Sequence, residues 1–203
     1  MTMPTPPKTT ASATIVLIQG PCLQALSWEH WVSRYSARGY CVIATGVPST
    51  ATDEDRLCVP DQDVATAMCD YYERLLKTVT APPILIGHCF GGLVVQLLLN
   101  RGYGAAGVAM HAPLLRQRRV RSGRAPLLFI GGGRDRKVPA HTVEAAALRR
   151  HKSGAVTGYL EYPDACHHPV RTAGWERLAD DALDWAELST DSGRAASADL
   201  WRL

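Results

Sequence analysis

The chain has 203 residues, enough for one domain with a sizeable core and too few for two full ones. Hydrophobic residues make up 46% and charged residues 20%, which excludes a globally disordered chain. A net charge of +3, with no basic helix or aromatic-basic stripe, gives no reason to expect nucleic acid, and no apolar run is long enough to span a membrane.

The opening segment MTMPTPPKTTASA has no apolar stretch of the kind an export signal needs, so residues 1–13 are expected to be a flexible lead. Cysteines stand at positions 22, 41, 58, 69, 89 and 166 with no CxxC pair. That pattern points to separate reduced thiols and a cytoplasmic protein.

Apolar runs of strand length then recur: Thr14-Ile18, Tyr40-Ala44, Pro83-Ile86, Ala105-Met110, Pro126-Ile130 and Val156-Leu160. Several are almost continuously apolar, as expected for strands covered on both faces. Helical patterns lie between them. Ser27-Arg38 begins on a good N-cap residue and stops at Gly39. Asp61-Val79 has helical apolar spacing, Phe90-Arg101 is apolar nearly all round, and His141-His151 and Trp175-Leu188 follow. Alternation on this scale predicts an α/β fold. It is a three-layer sandwich, with a mostly parallel sheet of about six strands between helices. The domain is expected over 14–188, with a loose tail over 189–203. In such sheets the active site lies at the carboxyl ends of the strands.

Cys89 stands at such an end, in ILIGHCFGGL, with Gly87 and Gly91 two residues away on either side. This is the Gly-x-nucleophile-x-Gly spacing of a nucleophile elbow. The turn strains the central residue and lifts its side chain above the sheet. Small neighbours let strand and helix approach closely. The following helix N-terminus favours thiolate over thiol. The competing reading is a core cysteine in a tight turn.

Three segments together resemble the α/β-hydrolase superfamily: GHCFGG, LLFIGGGRDRKVP and CHHPVRTAGWERLADDALDW. The resemblance spans about Thr14 to Leu188. It implies a nucleophile, an acid and a histidine in that order, assigned to Cys89, Asp135 and His167. Relatives usually carry serine at the first position; dienelactone hydrolase-like members use cysteine. Two histidines compete for the base. In the resembling family the catalytic histidine stands seven residues before the Gly of a Gly-Trp-Glu helix start, and counting back from Gly174 reaches His167. His168 is then left for packing or substrate contact, and Asp164 is a decoy acid. His88 is expected to pack and hydrogen-bond below the elbow. A metal site gathering His88, Cys89, Cys166 and His167 lacks any paired-ligand motif, so neither metal nor cofactor is expected.

Two departures from the family bear on chemistry. The first strand normally ends in His-Gly, followed by a residue whose N–H helps form the oxyanion hole. Here the text is Gln19-Gly20-Pro21-Cys22, and Pro21 has no N–H to give. The residues expected on the oxyanion and substrate side are Gly20, Pro21, Cys22, Phe90, His111 and His168. The helical cap that relatives insert after the fourth strand is missing, so an open site is expected. The short segment in its place carries Arg116, Arg118, Arg119, Arg121 and Arg124. It is either a solvated loop or a docking patch for an acidic carrier protein or a phosphate-bearing acyl donor.

After a thiolate attacks a plain alkyl ester, the tetrahedral intermediate expels thiolate in preference to alkoxide, so the expected substrate has a leaving group as good as a thiol: a thioester, an activated ester or a lactone. A hydrolytic or cyclising release step in natural-product biosynthesis fits that chemistry by analogy with the fold. The alternatives are a non-hydrolytic lyase or cyclase in which His167 moves protons, and a catalytically silent binding module.

Overall fold

The computed structural model describes residues 13–19, 28–45, 62–113, 125–168 and 173–191. Residues 1–12 of the expected lead, Ser27, Gly20, Pro21, Cys22, the five arginines from 116 to 124, and the chain beyond 191 lie outside the described residues.

The elements run β1 (Thr14–Ile18), α1 (Glu29–Ala37), β2 (Cys41–Ala44), α2 (Gln62–Leu76), β3 (Ile84–His88), α3 (Phe90–Asn100), β4 (Ala106–Met110), β5 (Leu127–Gly132), α4 (Ala140–His151), β6 (Thr157–Tyr162) and α5 (Trp175–Asp191). The six strands form one sheet in the order β2-β1-β3-β4-β5-β6, and all five pairings are parallel. Parallel neighbours need crossovers, and the helices that supply them cover both faces.

Alternate strand residues feed two separate cores. Ile15, Leu17, Ile84 and Ile86 pack with Trp31, Tyr35, Leu178 and Leu183, so α1 and α5 cover one face. Val16, Ile18 and Leu85 pack with Met68, Tyr72, Val94, Leu98 and Val143, so α2, α3 and α4 cover the other. This period of two, buried on both sides, is why the strands read as unbroken apolar runs. Helix α3 is apolar all round because it is buried all round: Phe90 through Gln96, Leu98 and Leu99 are all buried.

Two helix ends differ from expectation. Trp28, not Ser27, occupies the N-cap position of α1, and no side chain caps it. The start is anchored instead by packing, with Trp28 buried edge-on against Trp31 at 5.2 Å between ring centroids. Helix α5 continues three residues past Leu188. Ser189 is buried there and Thr190 Oγ1 donates to the Glu187 carbonyl at 2.9 Å, so small polar residues carry the last turn. Across the face, Tyr35 Oη donates to the Ala179 carbonyl at 2.8 Å, and Arg34 makes a two-pronged contact with Asp180. No helix among the described residues is long and apolar enough to cross a membrane.

The chain leaves β1 toward β2 on one side and returns to β3 on the other. The order therefore reverses between β1 and β3. In open α/β sheets, ligands bind outside the carboxyl ends of the strands at such a switch point.

Candidate active site

Cys89 sits at that point, between the end of β3 and the first residue of α3. Its backbone has φ 54° and ψ −121°, a conformation that costs a non-glycine residue about 1–3 kcal/mol. The ladder holds it there, with Cys89 N–H donating to the Met110 carbonyl at 2.9 Å. The flanking glycines are steric necessities. A Cβ on Gly87 would run into the Gly91 carbonyl, and a Cβ on Gly91 would run into the Ile18 carbonyl at the end of β1. The turn is thus the strained strand-to-helix elbow that the spacing predicts. Phe90 opens α3, where a helix leaves its first amides without intrahelical partners, and its ring is buried in the core.

Asp135 lies on the turn after β5, where its carboxylate accepts four hydrogen bonds. Oδ1 takes the backbone N–H groups of Lys137 and Val138 at 2.8 and 2.9 Å. Oδ2 takes Nδ1–H of His167 and Nδ1–H of His111, each at 2.8 Å. A carboxylate oxygen only accepts here, so both rings carry their proton on Nδ1. Burial works to raise the Asp135 carboxyl. It is outweighed by the hydrogen bonds from His111, His167 and Val138, which hold the group below the usual carboxylate range.

His167 is 5% exposed and follows β6. Its backbone carbonyl accepts a hydrogen bond from Nε2 of His88 at 2.5 Å. His88 immediately precedes Cys89, so it ties the histidine segment to the elbow, in keeping with its expected role. His88 is fully buried, and that burial drives its imidazole pKa well below the ordinary value, with further repulsion from His111 and His167. Nε2 of His167 is buried with no hydrogen-bond partner. This is the nitrogen a base would use, and its bond to the thiol is not formed in this state. Such bonds are often long before substrate binds.

Of the predicted residues, the structure joins Asp135 to His167 and sets both beside the elbow through His88. His168 is half-buried, packed edge-on against the His167 ring at 5.0 Å and 5.9 Å from His88. Burial lowers its pKa first, and the charge of a protonated His167 lowers it further. Asp164 is exposed and paired with Arg134 at 2.7 Å, so it is not the acid. His111, expected on the oxyanion or substrate side, is fully buried and bound to Asp135 instead. Sequence reasoning missed this bond. The available signal was its position, directly after the carboxyl end of β4. The segment at 114–124 on which the expected openness rests lies outside the described residues. Cys89 is 1% exposed and belongs to an apolar cluster with Phe90 and Ala112.

Among the described residues, His111, Asp135 and His167 form the one set whose ligand atoms lie close enough to share an ion, all within 4.8 Å of one another. Both Nδ1 atoms meet the same carboxylate oxygen at hydrogen-bond distance. With both donors on that one oxygen, the trio reads as a hydrogen-bonded relay.

The comparisons with known proteins bear on the fold and the family. No curated protein matches the chain. Among solved structures it is similar to polyneuridine aldehyde esterase, with 13% identity over 86% of this chain and 99% of that one and a TM-score of 0.65. It is similar to a pyrethroid hydrolase from Sphingobium faniae JZ-2, with 17% identity over 89% and 99% and a TM-score of 0.64. It is also similar to a variant of SOBER1 from Arabidopsis thaliana, with 13% identity over 86% and 98% and a TM-score of 0.69. At these identities the likeness is one of fold. The model of the alpha/beta hydrolase family matches residues 15–202, and the chain therefore belongs to the alpha/beta hydrolase family.

Proposed function

We propose that the protein is a Cys-His-Asp acyl-transfer enzyme acting on a thioester, an activated ester or a lactone. The observation that carries this reading is the Asp135–His167 hydrogen bond at the carboxyl edge of the sheet, tied through His88 to a strained elbow bearing Cys89. Membership of the family makes the protein a hydrolase-type enzyme. The similar structures named for esterase and pyrethroid hydrolase activity support acyl chemistry within that class.

In the proposed cycle, Nε2 of His167 takes the Cys89 proton and the sulfur attacks the substrate carbonyl carbon. Asp135 steadies the imidazolium. The tetrahedral intermediate collapses, the bond to the leaving group breaks, and His167 returns the proton to the departing thiol or alcohol. Water then attacks the acyl-Cys89 while His167 takes its proton. Collapse releases the acid and restores the thiol. An internal hydroxyl of the substrate in place of water gives cyclising release. The first amides of α3, Phe90 N–H among them, are the donors for the oxyanion.

Pro21 favours a second reading, a lyase or cyclase on the same site, because proline at the other donor position has no N–H. An acidic carrier protein, a cytoplasmic setting and a role in natural-product biosynthesis belong to the proposal as well. The carrier rests on the arginines at 116, 118, 119, 121 and 124. Steady-state turnover of aryl esters and acyl thioesters tests the function. Hydrolysis that disappears in Cys89→Ala supports acyl transfer. Elimination or rearrangement that persists in Cys89→Ala and is lost in His167→Ala supports the lyase.

A further inference from the structure

His111 is a residue the cycle above does not use, yet the fold is built around its ring. It follows Met110 with φ 49°, in the left-handed region that most side chains avoid. Its N–H continues the ladder to the Ile130 carbonyl at 2.8 Å. Gly132 faces the ring, and a Cβ there would run into His111 Cε1. The ring is fully buried and its Nδ1–H ends on Asp135 Oδ2.

That bond is not needed to orient the carboxylate. The loop already fixes Asp135 by two backbone N–H groups on Oδ1. What His111 adds is a second donor on the very oxygen that serves His167. An oxygen shared between two donors offers less charge to each, and the strength of a charge-assisted bond depends on that charge.

We propose that His111 is a positioning residue that draws on the charge of Asp135 Oδ2 and so weakens His167 as a base to the strength a thiol requires, making the site selective for cysteine over serine at position 89. This rests on the Cys89-His167-Asp135 reading. A thiol gives up its proton near pH 8.5, far more readily than an alcohol, so a moderate base suffices. A moderate base also returns the proton to the leaving group more easily. The groups facing His167 are Asp135 from the β5 turn, His111 from the end of β4, His88 from β3, and its own neighbour His168, whose pKa is influenced in turn by Lys137. His88 and His168 are both disfavoured as cations, so among these groups Asp135 is the charged partner of the His167 ring.

The test compares His111→Gly, which accepts the positive φ and removes the donor, with His111→Asn, which tolerates it and places an amide N–H where Nδ1–H stands. Two readouts are taken: the acid limb of kcat/KM for the acetyl thioester of N-acetylcysteamine, and the His167 ring titration by NMR without substrate. In His111→Gly both midpoints are expected to move up by about one pH unit, the worth of one hydrogen bond. In His111→Asn both return close to wild type, and Cys89→Ser gains activity only in the His111→Gly background. Unmoved midpoints in a folded His111→Gly would overturn the proposal and leave His111 as packing. If His111→Gly does not fold, the wild-type spectrum decides: two downfield imidazole N–H protons, both lost in Asp135→Asn, support it, and a single one overturns it. Absence of any acyl transfer to Cys89 would defeat the proposed function alone, because the NMR titration reads His111 without substrate.

Discussion

His88 donates a hydrogen bond from its ring to the backbone carbonyl of His167, across 79 positions of sequence. One contact thus couples the residue before the elbow to the residue proposed as base. The carbonyl only accepts, so His88 must carry its proton on Nε2. Its Nδ1 is buried without a partner, and burial holds the ring neutral.

This makes stability depend on pH in a defined window. The folded His88 binds a proton less readily than the unfolded chain, whose imidazole titrates near 6.5. Below about pH 6.5 the unfolded state gains protons that the folded state refuses, so stability falls as pH drops, by up to about 1.4 kcal/mol per unit. Urea unfolding between pH 7.5 and 5 should show this slope. His88→Gln, which keeps a donor for the His167 carbonyl, should flatten it. Asp135 acts lower. Its depressed folded pKa contributes stability above the ordinary carboxylate value near 3.9, and that contribution is lost as pH falls further.

Asp135→Asn keeps the shape of the side chain and removes the charge that fixes the His167 tautomer. It should lower kcat on the order of 10⁴-fold, as loss of the acid does in a serine triad. Circular dichroism should show an intact fold. Turnover within tenfold of wild type would assign the acid elsewhere.

Gly91→Ala puts a methyl group into the Ile18 carbonyl, a backbone atom that cannot turn aside. The expected cost is about 3 kcal/mol, at the upper end for overpacking. Equilibrium urea unfolding measures it. An unchanged midpoint would mean that the elbow and β1 are farther apart than described.

Much of this site was legible because it depends on local spacing. Gly87-x-Cys89-x-Gly91 encodes the elbow by sterics alone, and the parallel strands announce themselves as unbroken apolar runs. Asp135 could be placed because the family that the segment LLFIGGGRDRKVP resembles carries its acid on the loop after this strand. The His111–Asp135 bond could not be read in advance, because it joins the ends of β4 and β5 through the packing of a ring over Gly132. The last turn of α5 was hidden for another reason. Ser189, Thr190 and Asp191 are typical loop residues, and only the burial of Ser189 and the Thr190 back-bond keep them helical.

The central claim is that the sulfur of Cys89 becomes acylated, with His167 as its base and Asp135 behind the ring. Intact-mass spectrometry of the protein quenched during turnover of an acyl thioester tests it most directly. The account predicts one added acyl mass that maps to Cys89, is absent from Cys89→Ala, and forms far more slowly in Asp135→Asn. An acyl group on another residue, or turnover undiminished in Cys89→Ala, would contradict it.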